Sequence, residues 1–284
     1  MKIIAFSPSH ITAFFEVCYK EDVYKTGSRG AGICLSLGSY AKVRTGGNKI
    51  IIRGNIGKGE VTKEAIRNLF NYAKEKVGIK VEIKNDLPFS QGFGISASSS
   101  LASTIAISNL LKIPCEKALQ SVHLAEVKKK TGLGDAISSF CGGMEIRKEP
   151  GIKGNIEKIE CGEKIIIAIV GKRIDTRNIL KDEKMVDKIN DIGKQCIDEF
   201  IKKPSIENLF DLSLKFALET GIANYKMQKI LKEANKIGKA SMAMLGNSIF
   251  ALYSKEMKKF LSKYQYYECF IDNEGARILA TFFP

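Results

Sequence analysis

Apolar residues along this chain fall into two rhythms, a period of two and a period near 3.6, and their alternation outlines the elements. Residues 3–6 read as a strand. Residues 33–43 and 49–53 read as paired strands joined by the turn Arg44-Thr45-Gly46-Gly47-Asn48. Over 62–76 the positions Ala65, Leu69, Tyr72 and Ala73, continued by Val77, keep helical spacing. A strand resumes at 81–83. Helices follow at 99–111 and 116–130, then a strand at 144–148. Residues 165–170 form an unbroken apolar run, the mark of a strand buried on both faces.

Helices dominate 182–236. The remainder reads strand, strand, helix, strand, strand, at 240–245, 248–253, 255–263, 267–271 and 276–282. Gly246-Asn247 fits a two-residue hairpin turn between the first two. Ser7-Pro8-Ser9-His10 and Gly27-Ser28-Arg29-Gly30-Ala31-Gly32 read as loops. The character of the chain changes between 150 and 165, which divides it into 1–155 and 156–284. The pattern is α+β, with no internal repeat and no low-complexity segment.

Composition narrows the class. The 284 residues suit one large domain or two small ones, and a 44% hydrophobic content excludes disorder. A net charge of +14 is spread over the whole chain, and its densest run is only Lys128-Lys129-Lys130. It fits a solvated surface, and leaves open attraction of nucleotides, acidic metabolites or a polyanion. Seven scattered cysteines and two histidines, His10 and His123, argue against a zinc site or disulfide framework and fit a reducing cytoplasm. Met1–Phe6, interrupted at Pro8, is too short for a signal peptide, and no apolar run reaches the ~20 residues of a membrane span.

The segment Gly92-Phe93-Gly94-Ile95-Ser96-Ala97-Ser98-Ser99-Ser100 carries the chemistry. Two glycines permit a tight turn and close approach to a ligand, and the serines lead into a helix. A helix start offers unpartnered N–H groups and partial positive charge, which together favour an anion such as phosphate. A capped helix is the plainer alternative, but four serines and two glycines in nine residues exceed what a cap needs. No Gly-Lys pair is followed by Ser or Thr, so a Walker A loop is excluded. The G-x-G-x-x-A match to a dinucleotide fingerprint lacks the βαβ start that such a fingerprint needs.

Two further groups of residues stand out. His123 and Glu126, three apart, share one face of the 116–130 helix, and read as a metal pair or as structure. Asp135 follows the turn Thr131-Gly132-Leu133-Gly134. Small residues crowd Lys239–Ser248, which on physics alone is a tight hairpin under a helix. Beside a triphosphate site, an acid could hold Mg²⁺ and another could address an attacking hydroxyl.

Pro88 followed by Gly92-x-Gly94-x-Ser96-Ala97 resembles the phosphate-binding motif of the GHMP kinases (galactose, homoserine, mevalonate and phosphomevalonate kinases). Ser7–His10 resembles their first motif, and Lys239–Asn247 their third. In order and spacing the resemblance spans essentially the whole chain. Within the superfamily it is strongest to the archaeal pantoate kinases, through Pro8–Phe15, Gly27–Gly32, Gly132–Asp135 and Ala243–Asn247. It implies a GHMP-kinase-like two-domain α+β fold, with a ribosomal-protein-like amino-terminal half and a ferredoxin-like carboxy-terminal half. It further implies ATP and Mg²⁺, and phosphorylation of the hydroxyl of (R)-pantoate to 4-phosphopantoate in coenzyme A biosynthesis.

Carried over by the resemblance, Gly92, Gly94, Ser96, Ala97 and Ser98 would cradle the ATP phosphates. Ser96 and Glu126 would hold Mg²⁺, and Asp135 would be the catalytic aspartate beside the acceptor hydroxyl, orienting or deprotonating it. Ala243 to Asn247, with Gly246 and Asn247 foremost, would approach the acceptor. The acceptor's carboxylate would meet Arg29 first, then His10 and Ser28, because Arg offers a planar bidentate partner. Three departures stand out: Ile95 replaces the first serine of the usual Gly-Ser-Ser-Ala, Met244 and Leu245 replace common glycines, and Ser9 replaces a glycine. Mevalonate, homoserine and shikimate remain alternative acceptors. From the charge, an RNA-binding protein is the alternative of another class, although no basic-aromatic stripe is present. A homodimer is left open, with neither membrane nor nucleic acid expected as partner.

Overall fold

The computed structural model describes residues 1–57, 59–74, 77–173 and 182–283. Two long antiparallel strands form its spine, β1 (Lys2–Cys18) and β2 (Gly27–Thr45), paired from Lys2↔Arg44 to Cys18↔Gly27. The two expected loops, 7–10 and 27–32, are therefore strand. Pro8 misled the reading because proline cannot donate to a ladder. Here the register shifts between Pro8 and Ser9, and the next strand over pairs only with Lys2–Phe6. A bulge beside an unpaired edge is where a sheet accommodates proline.

Among the described residues the first sheet has seven strands, in the order β11 (Arg277–Phe282), β1, β2, β4 (Ile79–Asn85), β3 (Ile50–Gly54), with β5 (Met144–Arg147) and β6 (Ile156–Ile159) continuing from the other part of β2. Strand β3 (Ile50–Gly54) does not pair with β2, as the sequence suggested. It pairs in parallel with β4 (Ile79–Asn85) after the crossover helix α1 (Glu60–Ala73), and β4 lies against β2. Residues 75–76 of the expected helix lie outside the described residues. Gly46 N–H donates to Gly78 O, and a Cβ at Gly78 would come within 2.0 Å of Gly47 O. These glycines let the turn pass close to the start of β4, so β4 can separate β2 from β3.

Helix α2 (Ile95–Leu111) begins four residues earlier than its spacing suggested and is buried on nearly every side. Its hydroxyls bond to its own backbone: Ser100 and Ser103 donate to the carbonyls of Ser96 and Ser99 at 2.7 Å, and Thr104 to Ser100 O at 3.0 Å. Small side chains whose polar atoms are satisfied locally allow a central helix to pack on all faces. Helix α3 (Cys115–Lys129) packs on α1 and α2. A short helix missed in the sequence, α4 (Asp135–Cys141), leads into β5 (Met144–Arg147) and β6 (Ile156–Ile159).

Strand β7 (Lys164–Ile169) opens the second, four-stranded antiparallel sheet. The helical region resolves into α5 (Glu183–Lys202), α6 (Ile206–Glu219) and α7 (Tyr225–Ala234). Then follow β8 (Ala240–Ala243), β9 (Ser248–Leu252), α8 (Lys255–Leu261) and β10 (Gln265–Phe270), in sheet order β10-β7-β9-β8. The last strand, β11 (Arg277–Phe282), returns to pair with β1. Residues 156–284 thus supply two strands, β6 and β11, to the sheet built by residues 1–155.

One core joins the starts of β1 and the end of β2 to α1, α2 and α3. A second joins the later part of β1 to the second sheet and α5–α7. Between them, on β1, lie the buried polar residues Ser7, Ser9 and His10. A cleft opens beside this polar seam.

Candidate active site

A cleft of about 630 Å³ opens between the glycine turn, the starts of α1 and α2, the 131–135 turn and the Met244-Leu245 tip, a size typical of small-ligand sites. Gly92 and Gly94 have φ of 82° and 60°, in the left-handed region that favours glycine. Gly94 is the residue at the start of α2, with no side chain capping the helix. The first N–H groups of a seventeen-residue helix are therefore not met by a side-chain cap.

Helical spacing decides which serines face the cleft. Ser96 and Ser99, three apart, line it. Ala97 is fully buried in the first core. Ser98 is turned to the sheet, its Oγ 2.7 Å from Ser39 Oγ and 3.3 Å from Ile95 O. Much of the serine richness that signalled phosphate is packing, and Ser99 is the cleft hydroxyl the sequence reading overlooked.

Glu126 on α3 and Asp135 at the start of α4 both line the same cleft. Burial first, and the charge of Asp135 second, push the Glu126 carboxyl well above its ordinary 4.5. A buried acid that resists ionisation for want of a positive neighbour suits a cation. Together with the Ser96 hydroxyl it offers the hard oxygen donors that Mg²⁺ takes, so these residues fit the ion that the resemblance implies. His123 does not line the cleft. Its Nε2 meets Val23 O at 3.2 Å, and burial lowers its pKa.

Asp135 is held differently. Burial would raise its pKa, but the hydrogen bond and charge of His10, then the charge of Arg147, outweigh this and keep it low. His10 is 1% exposed, with Nδ1 2.9 Å from Asp135 Oδ1 and Nε2 2.8 Å from Glu145 Oε1. It therefore touches the cleft only through Asp135. Glu145 and Arg147 are buried charges on β5 that the sequence reading missed. Met144-Glu145-Ile146-Arg147 alternates like a strand with one wet face, yet all four are buried. A signal was present: Gly32 and Gly30 stand directly opposite Glu145 and Arg147 in the register.

Other sequence candidates are placed as follows. Ser28 lines the cleft. Arg29 does not: its Nη1 donates to Glu16 Oε2 and its Nε to Lys148 O, both at 2.8 Å. Gly246 lies behind the glycine turn, where a Cβ would come within 2.2 Å of the Gln91 carbonyl. Asn247 donates to Lys172 O at 2.7 Å and accepts from Val170 N–H. Neither lines the cleft; Met244 and Leu245 do.

Residues 60–143, which hold the glycine turn, Glu126 and Asp135, match the family described as GHMP kinases N terminal domain. The pantoate kinase of Methanocaldococcus jannaschii is 34% identical over 257 residues, covering 88% of this chain and 93% of that protein. The chain belongs to the GHMP kinases. The pantoate kinase of Thermococcus kodakarensis is 35% identical to this GHMP kinase over 269 residues, covering 90% and 89% of the two chains. A solved structure titled phosphotransferase related to CoA biosynthesis pathway superposes on the kinase with a TM-score of 0.86 at 30% identity, covering 98% of each chain. A mevalonate kinase structure, with a TM-score of 0.70 at 20% identity, shares the GHMP kinase fold.

Proposed function

We propose that this GHMP kinase transfers the γ-phosphoryl group of ATP to the hydroxyl of pantoate. The observation that carries the reading is the convergence of the glycine turn, Ser96, Glu126 and Asp135 on one cleft, in a chain 34–35% identical to two pantoate kinases over about nine-tenths of its length.

In this reading the turn at Gly92 and Gly94 and the N–H groups opening α2 receive the ATP phosphates, and the α2 dipole offsets their charge. Mg²⁺, when bound by Glu126 and Ser96, supplies positive charge for the phosphoryl oxygens. Asp135 orients the acceptor hydroxyl in line with the γ-phosphorus and receives its proton as the new P–O bond forms. The bond to the β-phosphate oxygen breaks, and ADP and 4-phosphopantoate leave. Arg147, rather than Arg29, is the guanidinium near the acceptor end: a Cβ at Gly134 would lie 2.5 Å from Ser28 Oγ and 2.8 Å from Arg147 Nε, which is buried without a partner. That N–H and the Ser28 hydroxyl suit the pantoate carboxylate.

The test is acceptor-dependent ADP release by the purified protein with Mg²⁺ and ATP, offered pantoate, mevalonate, homoserine and shikimate. Pantoate is expected to be used with the highest kcat/KM, yielding a phosphomonoester by ³¹P NMR. Preference for another acceptor overturns the substrate; release with none of them overturns the kinase chemistry proposed here.

A further inference from the structure

The proposed chemistry uses Asp135 and Arg147 but neither His10 nor Glu145, and all four belong to one buried chain of charges that has Asp135 at one end. From it run His10, Glu145 and Arg147. Glu145 Oε1 accepts from Arg147 Nη1 at 2.5 Å, and Arg147 Nη1 also meets Ser138 Oγ at 2.5 Å. The His10 and Glu145 side chains have no exposure, and that of Arg147 has 2%.

Both ring nitrogens of His10 face carboxylate oxygens. An ionised carboxylate can only accept, so each contact needs a hydrogen on the nitrogen, and a neutral imidazole carries only one. Either the ring is doubly protonated or one of the carboxyls carries the second hydrogen. The surroundings decide. With the hydrogen on the ring, Asp135, imidazolium, Glu145 and guanidinium alternate in sign, and each charge stands beside an opposite one; with it on Asp135 the sum is the same, but the carboxyl that is 27% exposed to the cleft gives up its charge while the fully buried Glu145 faces a neutral ring. Glu145 is poorly suited to hold the hydrogen instead, because its Oε1 already receives the guanidinium.

Strand β2 makes room for this contact. Gly32 pairs with Glu145, and a Cβ there would come within 2.3 Å of His10 Nε2. The ring passes through the space left by the missing side chain. Thr12 Oγ1 is 3.5 Å from the same Asp135 oxygen, too long to hold it firmly.

The geometry points to a positioning relay in which Glu145, across the gap at Gly32, holds His10 as an imidazolium, and His10 fixes Asp135 by Oδ1 so that Oδ2 is left for the acceptor hydroxyl. Only its last step rests on the kinase reading. The titratable and charged groups around His10 are Asp135 from α4, Glu145 and Arg147 from β5 and the Cys34 thiol from β2, with Glu126 of α3 beyond Asp135. Burial, then the charge of Glu145, keeps Cys34 well above its ordinary 9.0. For His10, burial works toward the neutral ring, but its hydrogen bonds to Asp135 and Glu145 outweigh it and raise its pKa above 6.5. An aspartate facing an imidazolium is a weak base, so it orients the hydroxyl and takes the proton late.

The chain has two histidines, so ¹⁵N-histidine labelling of the whole protein gives two rings, told apart with His123→Gln. His10 is expected to have both nitrogens protonated at about pH 7.5 and to lose a proton only at higher pH than His123. In Glu145→Gln that loss is expected to move down by roughly one pH unit or more. With pantoate and ATP, the same variant is expected to lose about 10- to 100-fold in kcat, with little change in the KM for ATP. The alkaline limb of its pH profile is expected to shift with the ring, which a purely structural role would not produce. A bare ring nitrogen on His10 at that pH in the wild-type protein overturns the relay, and this measurement needs no substitution at Glu145. A folded Glu145→Gln with unchanged ring titration and kinetics overturns it too. A doubly protonated His10 in a protein that ignores pantoate leaves the relay standing and overturns the substrate.

Discussion

At the residue scale, the fold separates groups that line the cleft from groups that only resemble them in sequence. Ser96 and Ser98 are two positions apart and were equal candidates by composition, but a helix turns them to different faces. Ser96→Ala is expected to raise the KM for Mg²⁺-ATP. Ser98→Ala removes a buried hydrogen bond and is expected to lower stability by about 1 kcal/mol while leaving the kinetics alone. Steady-state kinetics and denaturant melts on both variants check this contrast. For Asp135→Asn, kcat is expected to fall by about 10²- to 10⁴-fold with ATP affinity retained, measured by calorimetry beside the assay. Near-normal turnover by that variant would remove Asp135 from the chemistry.

At the scale of elements, the glycine turn, α2 and the acid-bearing 131–135 turn were legible because glycine and serine leave strong local marks. What the sequence hid was pairing. Pro8 looked like the end of a strand because the bulge between Pro8 and Ser9 exists only against Gly38 and Leu35 of β2 and leaves no mark in the local sequence. The β2–β4–β3 order was concealed by a turn that looked like a hairpin. Glu145 and Arg147 did not stand out because His10, which joins Glu145 to Asp135, is 135 residues away from Glu145 in sequence. Arg29 looked free for a ligand because Glu16 faces it only across the β1–β2 ladder. The third motif also acts as an element. Its departure from the usual glycines leaves Leu245 at φ 60° at the tip, and Gly246 pressed on the glycine turn. Gly246→Ala would drive a methyl group into the backbone at Gln91 and Gly92. It is expected to raise the KM for ATP about tenfold or more, since displacement near a reacting group by about 1 Å is costly. Unchanged ATP kinetics in a folded variant would show that the third motif does not support the turn.

At the scale of the whole molecule, the polar seam between the two cores makes stability depend on pH. Asp135 and Glu145 are held below their ordinary 3.8 and 4.5, so they stabilise the fold above those values and lose that contribution as pH falls through their lower folded pKa. His10 is held above 6.5, so its contribution is full below 6.5 and is lost as pH rises through the raised value. Glu126, held well above 4.5, adds a cost that grows as pH rises from 4.5 toward its folded pKa. The ligand-free protein is therefore expected to have its highest thermal midpoint in mildly acidic buffer, and a lower one from about pH 6 to pH 9. Glu126→Gln is expected to lessen that fall. A flat midpoint across this range in calorimetric scans would contradict the assigned shifts.

The pairing of β11 with β1 has a further consequence in time. During synthesis Lys2–Phe6 leaves the ribosome long before Arg277–Phe282 is made. Until then the edge of β1 that β11 will occupy offers its backbone groups to any passing strand. Loop closure over most of the chain makes this pairing a late event in folding. The nascent kinase must wait, with β1 half-dressed, for Arg277–Phe282 to arrive.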